Sequence, residues 1–384
     1  MPRRLEAALS AVDAFVRQAP DESRAIMAAK CRGLLAGYHA RWADAEYLAV
    51  AVERVVQSDL WNPETGRKSR SFTVAGKIDL SAAFRDRVVL MDHKTTSEDI
   101  SDPNSPYWRQ LIVEGQPSHY MLLEWLNARK ADDAVWDVVR KPAISPKLLT
   151  KAEARSAAVT HEYFGRRLAD ESILALNVEK PRETLKMYEA RLAHDCTLAR
   201  PEWYFQRRSI PRLDAELHEY AVELWEHGQE ILHARNTGRH ARNSGACMLY
   251  GGPCKFLGIC SGHDAPDSDN WRRKPCVHTE LPGIEGDGRN VLTNSRIRCF
   301  QTCRRKHFYD YELGIERQDE EERDALYFGN LWHAALEAWF LASQKGVIDD
   351  DTSSASNSAN TELAAGGASH DEQPPLPGCD QQQG

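Results

Sequence analysis

Ala75-Gly-Lys-Ile-Asp79 and Val88-Val-Leu-Met-Asp92-His-Lys94-Thr-Thr are apolar, β-like runs with charged residues set into them. The two runs cover residues 71–80 and 87–95 and are separated by residues 82–86. A short turn between them would bring Asp79 and Asp92 to neighbouring strand positions. The strand period of two puts Asp92 and Lys94 on one face and Val89, Met91 and His93 on the other. Two carboxylates held close repel unless a divalent cation lies between them, and hard cations such as Mg²⁺ favour oxygen ligands. A lysine two residues on can orient or help deprotonate an attacking water, so the set suits metal-assisted hydrolysis of a phosphodiester. Glu53, inside the apolar run 47–56, is a candidate third carboxylate. A solvated surface hairpin would carry the same charges, but burying them unpaired in apolar strands costs several kcal/mol. That cost favours the functional reading.

Working outward, residues 5–45 carry apolar positions at helical spacing (Leu5, Leu9, Val12, Val16; then Leu34, Leu35, Tyr38). Residues 62–66 form a turn cluster, 116–130 read as helix and 134–139 as a short strand. Residues 150–235 read as mostly helical, broken by a strand at Trp203-Tyr-Phe205 and again at Pro211. The expected organisation is a core with a helical region and cysteine-rich loop over 1–260, and a polar linker over 261–289. A compact helical segment follows over 290–340, and an acidic tail over 341–384 expected to be disordered.

The three motifs resemble those of the PD-(D/E)XK nuclease superfamily, in its RecB/AddB-like branch of CRISPR-associated and phage exonucleases. Asp79 matches that family's G-x-x-D aspartate, and Asp92 with Lys94 its D/E-x-K pair. Gln116-Pro-Ser-His-Tyr120 matches its Q-x-x-x-Y helix, which in relatives contacts the site or the DNA. The resemblance implies an α/β restriction-endonuclease-like core, a small mixed sheet flanked by helices, with a helical insertion. It also implies a DNA nuclease using Mg²⁺ or Mn²⁺, of exonuclease type, in phage or bacterial recombination or repair. A helicase or recombination protein would be the partner, since the chain has no G-x-x-x-x-G-K-[ST]. The alternative is a catalytically inactive DNA-binding or scaffold module that keeps the fold.

Cys247, Cys254 and Cys260 lie in a Gly-rich loop, one thiolate short of the four that a Zn²⁺ or an iron–sulfur cluster needs. In cluster-bearing relatives the trio is C-x2-C-x5-C with a distant first cysteine. The x5 interval agrees here and the x6 interval departs from it. The resemblance makes Cys303, ahead of a basic–aromatic run, the fourth ligand of a [4Fe-4S] cluster, with Zn²⁺ the other option. Phe328-Gly329-Asn-Leu-Trp-His333 resembles the family's G-x-x-x-H helix, which makes His333 a metal ligand beside Asp79 and Asp92. These last two motifs precede the hairpin in the family and follow it here. Residues 290–340 are therefore expected either to fold back in a permuted domain or to begin a second, incomplete copy.

Basic and aromatic residues interleave at Arg207-Arg208, at 271–274 and at 304–309. Arg304, Arg305 and Lys306 are the best candidates for phosphate contacts. The net charge of −8 is no objection to DNA, because residues 346–384 hold seven acids and no Lys or Arg, leaving −1 for the rest. No window approaches 18 apolar residues and no secretory leader follows Met1, so a cytoplasmic protein without membrane spans is expected. Nine cysteines in such a chain point to ligands or buried thiols rather than disulfides.

Overall fold

The structure is a computed structural model. It describes residues 2–350 apart from 19–20, 175, 177–180, 250–251, 280, 282–283, 285–287 and 320–323. The acidic tail was expected to be disordered from residue 341, but residues 341–350 continue a helix that begins at Asp324; the rest of that tail lies outside the described residues.

The core is a mixed sheet. β1 (Tyr47–Trp61), β2 (Lys68–Phe84) and β3 (Arg87–Thr96) form an antiparallel meander. β4 (Asp133–Arg140) runs parallel to β3, and β7 (Phe205–Ser209) closes that edge antiparallel. Residues 82–84, expected between strands, belong to β2, because the two strands stay paired to Phe84↔Arg87. Trp203 and Tyr204, expected in a strand, form the short helix α8 (Pro201–Tyr204) that feeds β7.

Alternation along the strands sorts two apolar layers. Val89, Met91, Val135 and Val139 face α1 (Pro2–Arg17), α2 (Glu22–Trp42), α7 (Leu185–His194) and α13 (Asp324–Asp350). Leu90, Ala134, Phe72 and Val74 face α4 (Gly115–Leu126), α9 (Asp214–Thr237) and α11 (Asn294–Thr302). α3 (Pro106–Ile112) precedes α4 and buries Trp108 in a cluster with Trp136 of β4. α13 docks because Leu331, Trp332, Ala335, Leu336, Trp339 and Phe340 make one buried stripe at helical spacing. Between β4 and α7 lies a satellite made of α5 (Lys151–Thr160), the hairpin β5 (Glu162–Tyr163) and β6 (Arg166–Arg167), and α6 (Asp170–Leu174).

Residues 290–340 pack onto this core. β9 (Asn290–Leu292) pairs parallel with Phe72–Val74 of β2, and α13 covers α1 and β1. The cysteine-rich loop ends in the short helix α10 (Leu257–Ser261). Within the expected linker, β8 (Trp271–Arg273) pairs with β10 (Ile315–Arg317), and Trp271 is buried against Phe256. Those residues are tied down by an apolar anchor that a polar average conceals.

β2 shares its edges unevenly. β1 takes one edge along the strand's length, while β9 takes residues 72–74 and β3 takes 80–84 of the other. Residues 75–79 lie in the gap between β9 and β3. The sheet splits there.

Candidate functional site

A cavity of about 270 Å³ opens at this split, lined by Glu53, Gly76, Lys77, Asp79, Gln116, Tyr120, Asn294, Ser295, Asn330 and His333, among others. Asp79 ends the gap, one position beyond the last β2–β3 pair, Leu80↔Met91. It is buried, and its Oδ2 accepts the backbone N–H of His93 at 2.9 Å. Glu53 lies opposite it on β1, between the pairs Val52↔Leu80 and Arg54↔Ile78, with φ of 51°. That left-handed backbone is strained for a residue with a side chain, and such strain persists where surrounding structure enforces it. Gly76 has no room for a side chain: a Cβ there would come within 2.7 Å of the Tyr120 ring.

His333 comes in from α13 with Nδ1 3.6 Å from Asp79 Oδ2. One ligand atom each from Glu53, Asp79 and His333 falls within 4.8 Å of the others, the one such group among the described residues. Of the residues expected around the metal, Asp79, His333 and the third carboxylate Glu53 form this group, and Asp92 is not in it. The Asp92 carboxylate has partners of its own: Oδ2 ion-pairs with Lys94, and Oδ1 accepts from Gln116 Nε2 at 3.0 Å. Gln116 also donates to the Tyr120 hydroxyl at 2.9 Å. Lys94 lies over the ring of Trp136, 4.8 Å from its centroid.

The two strand aspartates are driven apart electrostatically. Burial raises the pKa of Asp92 and the nearby Asp79 charge adds to that, outweighing Lys94, so it is pushed up to about 7. Burial acts on Asp79 too, but His333, His93, Lys94 and the His93 N–H outweigh it and leave Asp79 below the usual carboxylate range. Burial, then Asp79, raises Glu53 despite its ion pair with Lys77. His333 is lowered by burial, which favours the neutral imidazole that metals bind. A pocket with one ready carboxylate, a second held back by burial and a neutral histidine suits a divalent cation.

His93 faces away, as the strand period requires. It stacks on Phe340 of α13 at 5.3 Å, and its Nδ1 lies 3.1 Å from Asp137 Oδ2. Asp137 also accepts from the Tyr38 hydroxyl (2.5 Å) and from Arg207. Arg207, expected among the DNA contacts, is thus a buried partner of Asp137. Arg208 lies over Trp108 and donates to the Pro103 carbonyl. In the 271–274 cluster, Arg272 pairs with Glu316 and Lys274 with Asp310. Of the 304–306 run, Arg304 pairs with Glu230, while Arg305 donates to the carbonyl of His240.

Cys247, Cys254, Cys260 and Cys303 line a second cavity, of about 590 Å³, with Lys306 at its wall. Cys303 is the C-cap of α11, and Asn294 and Ser295 at that helix's other end line the carboxylate cavity. Lys77, Asn294, Ser295 and Asn330 went unread in the sequence. Only Lys77, two residues before Asp79 in an apolar run, left a local trace.

Comparison with known proteins matches residues 291–381 to a family model described as the PD-(D/E)XK nuclease superfamily. No curated protein and no solved structure matches the chain. No helix among the described residues is long and apolar enough to cross a membrane. The chain thus carries its match to the PD-(D/E)XK nuclease superfamily on a mixed α/β fold consistent with that superfamily.

Proposed function

We propose that this protein is a divalent-metal-dependent deoxyribonuclease, acting as an exonuclease on DNA ends in phage or bacterial recombination or repair. The observation that carries the reading is the meeting of Glu53, Asp79 and His333 at the split in the sheet, with Asp92 and Lys94 alongside. The donor set of two carboxylates and an imidazole fits Mg²⁺ or Mn²⁺, with Asp92 joining once it is ionised. A bound cation would polarise the phosphate and lower the pKa of a water. Asp79 would hold the cation, with His333 and Glu53 completing the shell. Lys94, kept in place by Asp92 and the Trp136 face, would orient the water. Gln116 and Tyr120 would fix the Asp92 carboxylate, and Lys77 would neutralise Glu53 when no cation is bound. Arg304, Arg305 and Lys306 would meet DNA phosphates, and a helicase partner would supply unwound strands.

In this reading the chain is a permuted domain, because residues 290–340 supply His333 and one wall of the cavity. That docking also favours an active enzyme over an inert scaffold.

The thiol cavity would hold a [4Fe-4S] cluster on Cys247, Cys254, Cys260 and Cys303. Two thiolates on one tetrahedral zinc stand about 3.8 Å apart, given a Zn–S distance of about 2.3 Å. No three of these sulfurs lie within 4.8 Å of one another. The cavity that all four line, of about 590 Å³, leaves room for a larger inorganic core. The cluster would tie the loop 247–260 to the end of α11.

The deciding assay follows linear double- and single-stranded DNA with Mg²⁺, Mn²⁺ or EDTA. Metal-dependent cleavage that Lys94→Ala abolishes is expected. DNA binding with no cleavage under any divalent ion would replace this reading with the scaffold alternative.

A further inference from the structure

A third cavity, of about 300 Å³, lies between the C-terminal end of α9 and α12 (Arg304–His307), lined by Arg235, Gly238, His240, Arg305, Phe308 and Glu312. His240 and Phe308 stack face to face, with ring centroids 4.1 Å apart and planes at 23°. The Nδ1 of His240 is buried with no hydrogen-bond partner. Arg305 is fixed through Nε to the His240 carbonyl at 2.8 Å, and no carboxylate pairs with it among the described residues. Glu312, the one acid in the cavity, is already neutralised by Arg235 and Arg296. Gly238, at φ of 64°, leaves the mouth open, with nothing within 4 Å of where a Cβ would stand.

We infer that this cavity takes one unpaired nucleobase of a single DNA strand. The base would stack on the open side of the His240–Phe308 pair, while the guanidinium of Arg305 faces the adjoining phosphate. Base stacking on an aromatic face combined with a fixed cation is the general basis of single-strand binding. Burial, aided by Arg305, lowers the His240 pKa, which keeps the ring neutral for stacking.

The position suits a strand leading to the carboxylate cavity. Arg235 donates to Asn290 at 3.2 Å, and Asn290 pairs with Phe72 of β2. From Phe72 to Asp79 is seven strand residues, about 23 Å. A stacked strand covers that span in about seven nucleotides at 3.4 Å each. The inference deepens the nuclease reading by naming an anchoring site for the substrate strand, and it rests on that reading.

The test places 2-aminopurine at successive positions of a single-stranded 12-mer and reads its fluorescence on binding to the full chain in EDTA. Quenching concentrated at one position is expected. His240→Ala should remove it and weaken the strand about tenfold, with blunt duplex affinity unchanged. Phe308→Leu, should it fold, removes the same quenching, and His240→Ala is the surface-side variant that does not depend on it. Quenching spread evenly and untouched by His240→Ala overturns the inference. So does AMP competing as well as the strand, which would make the cavity a free-nucleotide pocket. No cleavage occurs in EDTA, so a protein that passes here but never cuts DNA with Mg²⁺ refutes only the nuclease reading.

Discussion

The carboxylate cavity and the thiol cavity sit at the two ends of α11, a nine-residue helix about 13 Å long, and they are built in opposite ways. In the first, Asp79, Glu53 and Asp92 stand on strands, and each is already held by a protein partner: the His93 N–H, Lys77, and Lys94 with Gln116. In the second, three of the four thiols come from the loop and short helix between Cys247 and Cys260. The thiols there make long contacts with the protein, as with Cys247 Sγ at 3.7 Å from the Asn243 carbonyl and Cys303 Sγ at 3.4 Å from the Asn243 N–H. Hydrogen-bonded strands fix side chains before anything binds, whereas a loop takes its final shape from its ligand. One site is pre-organised. The other would be completed by its cofactor.

The sharpest way to break this contrast is Lys94→Ala. On the proposed mechanism it lowers DNA cleavage by about a thousandfold, within the range for a group that handles the attacking water's proton. Visible absorbance of the cluster should stay unchanged. A cleavage rate equal to the unmodified protein would remove Lys94 from the chemistry.

Next in size is Asp137→Ala, which strands the buried guanidinium of Arg207 and loosens Tyr38 and His93. Breaking a buried pair in this way costs about 3–5 kcal/mol, read as a lower midpoint in urea. A loss under about 1 kcal/mol, the scale of an exposed pair, would mean that the layer behind Asp79 is not what holds the sheet and α13 together.

Acid should weaken the sheet side by a comparable amount. His119 is fully buried between the Tyr220 hydroxyl and the Ala75 carbonyl, and burial pushes its pKa down to about 4. The unfolded chain binds that proton from about pH 6.5 downward while the folded chain does not until about pH 4, so stability is lost across that window, by about 3 kcal/mol in all once the pH has fallen below about 4. His119→Gln should flatten that part of the stability–pH curve, and an unchanged slope would place the acid sensitivity elsewhere.

The smallest effect expected on the carboxylate side comes from Cys303→Ser. Absorbance near 400 nm and bound iron should fall, while Mn²⁺ binding at the carboxylate cavity, followed by electron paramagnetic resonance, persists with at most a few-fold weaker affinity. Loss of both together would show that α11 couples the two cavities into one unit.

Much of this site was legible because strand chemistry is local. Alternation alone puts Asp92 and Lys94 on one face and His93 on the other, and the ion pair and the Phe340 stack obey that division. The spacing of Gln116 and Tyr120, one helical turn apart, likewise yields their mutual hydrogen bond. Arg207 and Trp271 misled for the converse reason. A cation beside aromatics looks the same on a DNA-facing surface and in a packed core, and only burial separates the two.

By itself, the sequence determined the β2–β3 hairpin, the charges carried on it, the helices around it and the cysteine-rich loop, since each is written in periodicity and residue type over a few neighbours. Only the tertiary structure decided that β9 and β3 divide one edge of β2 and so open a gap at residues 75–79. It likewise decided that Glu53 rather than Asp92 joins Asp79 and His333, and that Cys303 faces the loop thiols from the far end of α11. Those outcomes depend on contacts between residues as distant in the chain as Glu53 and His333. Their selection rests on the summed burial of apolar stripes such as that of α13, which no local pattern encodes.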